Sequence, residues 1–122
     1  MRQRKKLLAK KIRLSRLQDQ LLRLLEEAGS EELIGAANTL SYAFGESGSA
    51  RVQEFVHALK GLARVGFISI RIGGRTCADL GELQNVIVAD PATGYLGWRK
   101  PMVAGYAQIL LEEAGRQAIL GA

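Results

Sequence analysis

The sequence predicts an α+β domain that is mostly helical, and two observations in its middle carry this prediction. Residues 49–64 place apolar side chains at three- and four-residue steps, the pattern of one buried face of an α-helix. Directly after Gly66, residues 67–72 switch to an apolar, β-branched run that alternates from Ile68 onward, as strands do. A second β-branched run, within residues 84–89, returns after a polar loop. We therefore expect a helix, a glycine turn, a strand, a loop and a return strand.

Two helices are predicted before that stretch. The first stretch, residues 2 to about 28, is either one long helix or a frayed arm that enters a helix; its leucines recur at heptad-like steps, and it ends at Gly29. The second covers residues 31 to about 44. The glycine-containing turn of residues 45–48 follows, after which Ser49 is suited to cap the third helix. Two helices joined by a short turn of this kind form a helix-turn-helix.

The chain after the return strand is predicted in less detail. Residues 90–94 are a strong turn signal, and residues 95–98 either pair back as a third short strand or cross the surface as a linker. Pro101 suits the first turn of a last helix, which we expect to span residues 102 to about 120. Trp98 is expected to anchor that last helix on the core.

This succession is that of a winged helix-turn-helix, with helical extensions at both ends. The chain resembles bacterial winged-helix repressors of the PadR and MarR kind over roughly residues 17–89. Their signature at the end of the recognition helix, L-x-x-L-x-x-x-G-[LF]-I, is matched by Leu59, Leu62, Gly66, Phe67 and Ile68. The resemblance implies a protein that binds double-stranded DNA, as a small transcriptional regulator or a phage- or plasmid-type DNA-organising factor.

A homodimer is the oligomeric state that we expect. In the repressors that the chain resembles, the terminal helices form the dimer contact. The apolar stripe from Leu7 to Leu25 and the apolar face from Val103 to Leu110 also exceed what a small three-helix core is expected to cover.

Length and composition exclude several classes of protein. The chain has 122 residues, of which 48% are apolar and 24% charged, which suits one globular domain. No apolar run approaches the ~18 residues of a membrane span, and the N-terminus lacks the apolar stretch of a signal peptide. Cys77 is the only cysteine and His57 the only histidine, so we expect neither a disulfide within the chain nor a zinc site. A cytoplasmic protein, associated with the nucleoid if it binds DNA, is the default expectation.

Enzyme motifs are absent from the sequence. It contains no Walker loop, no H-E-x-x-H and no serine-histidine-aspartate arrangement. Gly73 and Gly74 join a strand to a strand, which is not the setting of a phosphate-binding fingerprint. We therefore expect no catalytic residue, no metal and no cofactor.

Charge is distributed unevenly along the chain. The formal net charge is +5, and eight of the 17 Lys and Arg residues lie within residues 1–16, before the first acid at Asp19. The remainder carries nine basic residues against 12 acidic ones. The sequence thus divides into a basic arm over 1–16, a winged-helix domain over 17–98 and a C-terminal helix over 99–122 that is a candidate for dimerisation. Such asymmetry suggests a polyanion as partner of the arm.

The candidate DNA contacts come from three segments. Lysines and arginines of the arm would neutralise phosphates without reading sequence. The exposed side of the third helix would enter the major groove, and Arg51 near its start is the strongest single candidate because Arg pairs bidentately with guanine. The wing after the second strand would add phosphate or minor-groove contacts. The candidates are Arg2, Arg4, Lys5, Lys6, Lys10 and Lys11 in the arm, Ser49, Arg51, Gln53, His57 and Lys60 in the helix, and Arg71 and Arg75 in the wing.

Two alternative functions stay open. A winged helix can serve as a protein–protein interaction or assembly module that binds no DNA, because fold does not fix function. The basic arm could instead bind RNA. A solvated tail fits the interleaved leucines of the arm less well. An arm lying on anionic lipid is a further alternative, which the helix-turn-helix behind the arm makes less favoured than nucleic acid.

Overall fold

The computed structural model describes residues 13–40, 49–73, 75–77, 80–93, 95–99 and 107–120 of the chain. The fold is α+β, as predicted, and helices account for more of the described residues than strands. The helices are α1 (Arg16–Ala28), α2 (Leu33–Thr39), α3 (Ser49–Arg64), α4 (Leu83–Val86) and α5 (Glu113–Leu120). The strands are β1 (Ser30–Glu32), β2 (Ile68–Ile72), β3 (Arg75–Thr76), β4 (Ile87–Ala89), β5 (Leu96–Trp98) and β6 (Ala107–Leu111).

Helix α1 begins and ends at strong local signals. At its start the Ser15 hydroxyl accepts a hydrogen bond from the Gln18 backbone N–H at 3.1 Å, and the Gln18 side chain accepts one from the Ser15 N–H at 3.0 Å. This reciprocal pair satisfies two N–H groups that a helix start otherwise leaves without a partner. At the other end Gly29 takes a positive φ of 80°, a conformation that glycine adopts without strain. The chain can therefore leave the helix and enter β1 within one residue.

The main sheet has the strand order β1-β6-β2-β3, with every neighbouring pair antiparallel. Strand β6 is central: Leu110 pairs with Ser30 on one side and with Ser69 on the other. Strands β2 and β3 form a hairpin in which Ile72 lies opposite Arg75. Strands β4 and β5 pair separately, as a second antiparallel sheet of two strands.

Four predicted elements differ from the structure. The first helix does not run continuously from residue 2, because Ser15 is extended and caps a helix that begins at Arg16. The return strand predicted over 84–89 does not pair with β2: Leu83–Val86 forms one helical turn, and β4 pairs with β5 instead. The long-range partner of β2 is β6, which lies inside the segment predicted as the last helix. The second helix starts later than predicted, because residues 30–32 pair with β6 before α2 begins.

The last helix is correspondingly short. Residues 107–109 alternate between buried and exposed positions, and residues 107–111 pair with strands on both sides, so α5 begins only at Glu113. The C-terminal segment therefore contributes the central strand of the main sheet rather than an appended helix. Residues 101–106, including Pro101, lie outside the described part.

The chain between β2 and β6, residues 73–106, is called here the β2–β6 connection. Its described apolar side chains enter the same core as the helices: Leu83 and Ile87 are each 2% exposed and Leu96 is 4% exposed. Strand β4 contacts α3, and β5 contacts α2. The connection is thus packed against the helix pair.

Polar contacts fix the β2–β6 connection to α2. The side chain of Asn38 donates to the Leu96 carbonyl at 3.0 Å and accepts from the Leu96 N–H at 2.8 Å. The Trp98 indole N–H donates to Glu32 at 3.4 Å, and the other oxygen of that carboxylate caps α2 by accepting from the Gly35 N–H at 2.6 Å. Trp98 therefore contacts the start of α2, which differs from the prediction that it anchors the last helix.

The apolar stripe of α1 is buried against other elements of the same chain. Leu17 is 3% exposed, and Leu21, Leu22 and Leu25 are fully buried against α3, β6 and α5. These side chains are not available to a second copy, so the surplus of apolar surface that motivated a dimer is absent from the described part of α1. The homodimer stays a prediction. Of its apolar candidates in the C-terminal segment, Ile109 is fully buried within the chain and Leu110 is half-buried, while Val103, like Leu7 in the arm, lies outside the described residues. Among the helices described, none combines the length and the apolar character needed to cross a bilayer.

Gly115 gives a direct test of how α5 is seated. A methyl group at this buried position would clash with the Phe67 carbonyl oxygen and approach Leu111 Cδ1 to 2.8 Å. Alanine normally favours a helix over glycine by ~1 kcal/mol. Here we expect Gly115→Ala to lower the free energy of unfolding by about 1–3 kcal/mol, because the backbone oxygen of Phe67 cannot move aside as a flexible side chain could.

Urea denaturation followed by circular dichroism measures the effect. Arg116→Ala is the control, because the neighbouring Arg116 is exposed and its replacement is expected to stay within ~0.5 kcal/mol of wild type. A Gly115→Ala protein as stable as wild type, or more stable, would show that α5 does not pack on the start of β2.

Candidate nucleic-acid interface

Helix α3 presents a single polar strip to solvent. Gln53, His57, Lys60 and Arg64 follow one another at steps of four, three and four residues, and all four side chains are exposed. Residues at these steps lie on one face of a helix. The opposite face carries Phe55, which is fully buried. We call these four residues the α3 strip, and it carries two cations and no carboxylate.

Contacts on both sides fix the rotation of α3 about its axis. On the α1 side, the Gln18 side-chain amide donates to the Ala58 carbonyl at 3.2 Å. On the other side, the described part of the β2–β6 connection packs along the helix through β4, α4 and the 3-10 turn Leu80–Glu82. The α3 strip lies between α1 and the β2–β6 connection and faces solvent.

A cavity of about 440 Å³ lies beside the C-terminal half of the strip. Lys60 and Arg64 line it from α3, and Ser69, Thr76 and Cys77 line it from the β2–β3 hairpin and the residue after it. The Ser69 hydroxyl donates to Glu112 at 2.6 Å, so its hydrogen is already engaged. Two cations one helical turn apart thus stand at the rim of a concave site next to the hairpin, an arrangement that suits an anionic group.

A second groove, of about 490 Å³, lies beside the N-terminal half of the strip. Gln53 borders it from α3, and Gln84, Asn85 and Arg99 border it from the β2–β6 connection. Val52 and Ile87, which are 5% and 2% exposed, contribute apolar lining. We call it the amide groove, after its three carboxamide side chains.

The α1 side of the strip is more mixed in charge. A depression of about 440 Å³ there is bordered by Arg13, Ser15, Glu54 and His57. Glu54 is half-buried and lies off the strip, on the side of α1. Arg13 is exposed and is the last basic residue before α1 begins.

The structure brings three of the predicted helix contacts together and separates one. Gln53, His57 and Lys60 lie on the α3 strip. Arg51 does not: it stands two turns before the buried Ala58 and three turns before Leu62, so it faces the protein side of the helix. It is half-buried and already interacts within the chain.

The two wing arginines leave the hairpin on opposite faces. Arg71 lies opposite Thr76 and Gln108, on the polar outer face of the main sheet. Arg75 lies opposite Ile72, and successive strand residues alternate between faces, so it is on the helix-facing side. Both are exposed, and only Arg75 shares a side of the sheet with α3.

The remaining predicted contacts fall outside the described structure. Ser49 is the first residue of α3, but its side chain is not among those described. The arm residues also lie outside the description; they are Arg2, Arg4, Lys5, Lys6, Lys10 and Lys11.

Four residues of this surface are not among the contacts predicted from the sequence: Arg64, Gln84, Asn85 and Arg99. Arg64 had a usable signal, because it follows Lys60 by four residues and His57 by seven and so continues the polar face. The placement of the other three beside α3 had no local signal, because it depends on how the β2–β6 connection packs against that helix.

Comparison with known proteins gives no further guide to the function. No protein-family model, curated protein or solved structure matches the chain.

The Asn38 side chain fixes β5, and with it the β4–β5 sheet beside the amide groove, to α2. Asn38→Ala removes both hydrogen bonds to the Leu96 backbone and leaves a half-buried N–H and C=O without these partners. We expect the free energy of unfolding to fall by about 1–3 kcal/mol. Urea titration measures it, and Thr39→Ala is the control because its hydroxyl is exposed and donates to the Gly35 carbonyl of the same helix. Equal stability of the two variants would mean that the β4–β5 sheet does not depend on the Asn38 side chain.

Proposed function

We propose that the chain is a winged-helix protein that binds double-stranded DNA, with the α3 strip directed into the major groove. One observation carries the proposal: the exposed face of α3 combines two cations with two residues able to contact bases, and no carboxylate interrupts it. A duplex surface is lined with phosphates, so a binding helix needs a face of this kind.

The order of elements supports a winged helix. Helices α2 and α3 are consecutive, as in a helix-turn-helix, and β2 follows α3 after the Gly66 turn. Strand β2 has an antiparallel partner in β6, and β1, between α1 and α2, completes the sheet on the far side of β6. In such proteins the second helix of the pair is the one that enters the groove.

Each residue of the strip has a chemical role in this proposal. Lys60 and Arg64, beside the hairpin, contact backbone phosphates at the edge of the groove. Gln53 lies nearer the start of the helix, where side chains reach base edges, and a carboxamide can pair bidentately with adenine. His57 lies between the two groups and can donate to a base or to a phosphate. Arg51 is not assigned a base contact, because it faces the protein.

The test is a duplex-binding titration with a charge-matched control. We expect Lys60→Ala/Arg64→Ala to weaken binding to any duplex and to reduce the slope of log Kd against log salt by about 0.9 for each phosphate that is no longer neutralised. The control, Arg23→Ala/Arg116→Ala, removes the same charge from α1 and α5, where Arg23 pairs with Asp19 at the surface. Fluorescence anisotropy at two salt concentrations measures both.

The outcomes separate the possible functions. If the two double variants weaken duplex binding equally, the effect comes from net charge alone, and α3 is not the binding element. Tighter binding to single-stranded RNA than to the duplex would favour the RNA alternative. A folded wild-type protein that binds no nucleic acid at low salt would favour the protein-interaction alternative.

The basic arm is proposed to add affinity without sequence preference. Replacing its six candidate cations with glutamine preserves its apolar residues while removing the charges that would neutralise phosphates. We expect lower affinity and a shallower salt dependence, by up to about 0.9 per phosphate, while the preferred sequence is unchanged. The candidates are Arg2, Arg4, Lys5, Lys6, Lys10 and Lys11. The same anisotropy titration measures the slope, and a slope identical to that of wild type would exclude the arm from the complex.

A further inference from the structure

The amide groove differs in chemistry from the rest of the proposed DNA-binding surface. Its polar border consists of three carboxamides and one guanidinium, all exposed, and no carboxylate is among its described lining residues. The cavity beside Lys60 and Arg64 is instead bordered by two cations and two hydroxyls. Amides contribute little to phosphate binding, but each offers a donor and an acceptor side by side, as base edges do.

The groove opens beside the α3 strip. Gln53 belongs to both, and Gln84, Asn85 and Arg99 extend its polar surface away from the helix onto the β2–β6 connection. A duplex seated on the strip would therefore bring the groove next to the bases that Gln53 faces. The groove adds hydrogen-bonding groups from a second element, which one helix face cannot supply.

Arg99 is held in position. Its Nε donates to the Asn85 carbonyl at 3.0 Å, and its backbone N–H donates to the Val86 carbonyl at 2.7 Å. Within the described part of the chain, its terminal Nη groups have no hydrogen-bond partner. A guanidinium fixed through Nε and open at both Nη atoms is prepared for an end-on bidentate contact, the geometry in which Arg recognises guanine.

The part of the β2–β6 connection that carries Gln84, Asn85 and Arg99 is fixed to α2 and α3. The two hydrogen bonds between Asn38 and Leu96 join it to α2, and Leu83 and Ile87 bury it in the core beside α3. Because this part is already ordered, binding does not have to order it, which lowers the entropic cost of the contact.

We propose that Gln84, Asn85 and Arg99 read base edges of duplex DNA, as a second specificity element beside the α3 strip. This inference rests on the proposed DNA-binding function. Arg99 reads a guanine, and the two carboxamides contact base edges of the neighbouring pairs.

The experiment is selection of bound duplexes from a random pool, followed by titration of the selected site and single-base variants. Arg99→Ala is expected to lose about 5- to 150-fold of discrimination at one position, the range of one bidentate contact, while preferences set by the α3 strip persist. Arg99→Lys keeps the charge but not the planar fork, so it should lose the same discrimination and retain the salt dependence of wild type.

A second variant separates a loss of base recognition from a loss of the fold. The exposed Asn85 side chain has no hydrogen bond to another described residue, so Asn85→Ala should leave the melting temperature unchanged and relax preference at an adjacent position. Circular dichroism on each variant confirms that the fold is retained.

Each remaining outcome overturns the proposal. If Arg99→Lys discriminates as wild type does, Arg99 is a phosphate contact and not a reader. If Lys60→Ala/Arg64→Ala weakens binding while Arg99→Ala and Asn85→Ala keep every preference, DNA binding stands and the groove has another role, such as docking a protein. If the wild-type protein binds duplex DNA but selects no sequence, the groove reads no bases and the proposed function stands. If the protein binds no duplex, both this proposal and the proposed function are wrong.

Discussion

The pairing of β6 between β1 and β2 is the constraint on which the rest of the structure depends. Because Ile72 lies opposite Ala107, the β2–β6 connection must leave and rejoin the sheet at the same end. Its ends are fixed next to each other, so it folds back on the nearest apolar surface instead of extending into solvent. That surface is the side of α2 and α3 that the sheet leaves uncovered, where Leu83, Ile87 and Leu96 complete the core.

The surroundings of the α3 strip follow from the same constraint. The connection covers one flank of α3 and α1 covers the other, so only a narrow row of side chains remains outside. Both flanks present polar groups beside that row, including Arg13 on one side and Arg99 on the other. A helix without neighbours on its flanks would offer a partner a single row of side chains. Here α1 and the β2–β6 connection, both distant from α3 in sequence, add polar groups on either side of that row. The hypothesis of DNA recognition thus extends from one helix to a composite surface.

The sequence predicted the elements whose signals are local. Helices α1 and α3 and strand β2 were found because Leu17, Leu21, Phe55, Leu59 and Ile70 repeat at the period of their element and are all buried. Segments whose structure depends on a distant partner were mistaken. Ile109 and Leu110 fit the spacing of a helix as well as that of a strand, and only their pairing with β1 and β2 decides between them.

The candidate site was predictable to a similar extent. Gln53, His57 and Lys60 followed from helical periodicity, and Arg64 could have been added by the same rule. Arg51 was predicted from its place near the helix start, whereas its angular position lies on the side of Ala58 and Leu62. Gln84, Asn85 and Arg99 were beyond sequence reasoning, because nothing local in the chain indicates that a helical turn and a strand end will lie beside α3.

The central place of β6 also bears on how the chain is made. The two strands that flank it precede it in the sequence, and β1 is separated from it by most of the fold. While the ribosome is still adding the connection, β1 and β2 have no partner between them, and their backbone edges stay open to pairing with other chains. The main sheet can close only after β6 has emerged. Its pairings are also long-range, which slows folding. Until then the nascent chain must rely on its helices, or on a chaperone, to keep those edges from aggregating.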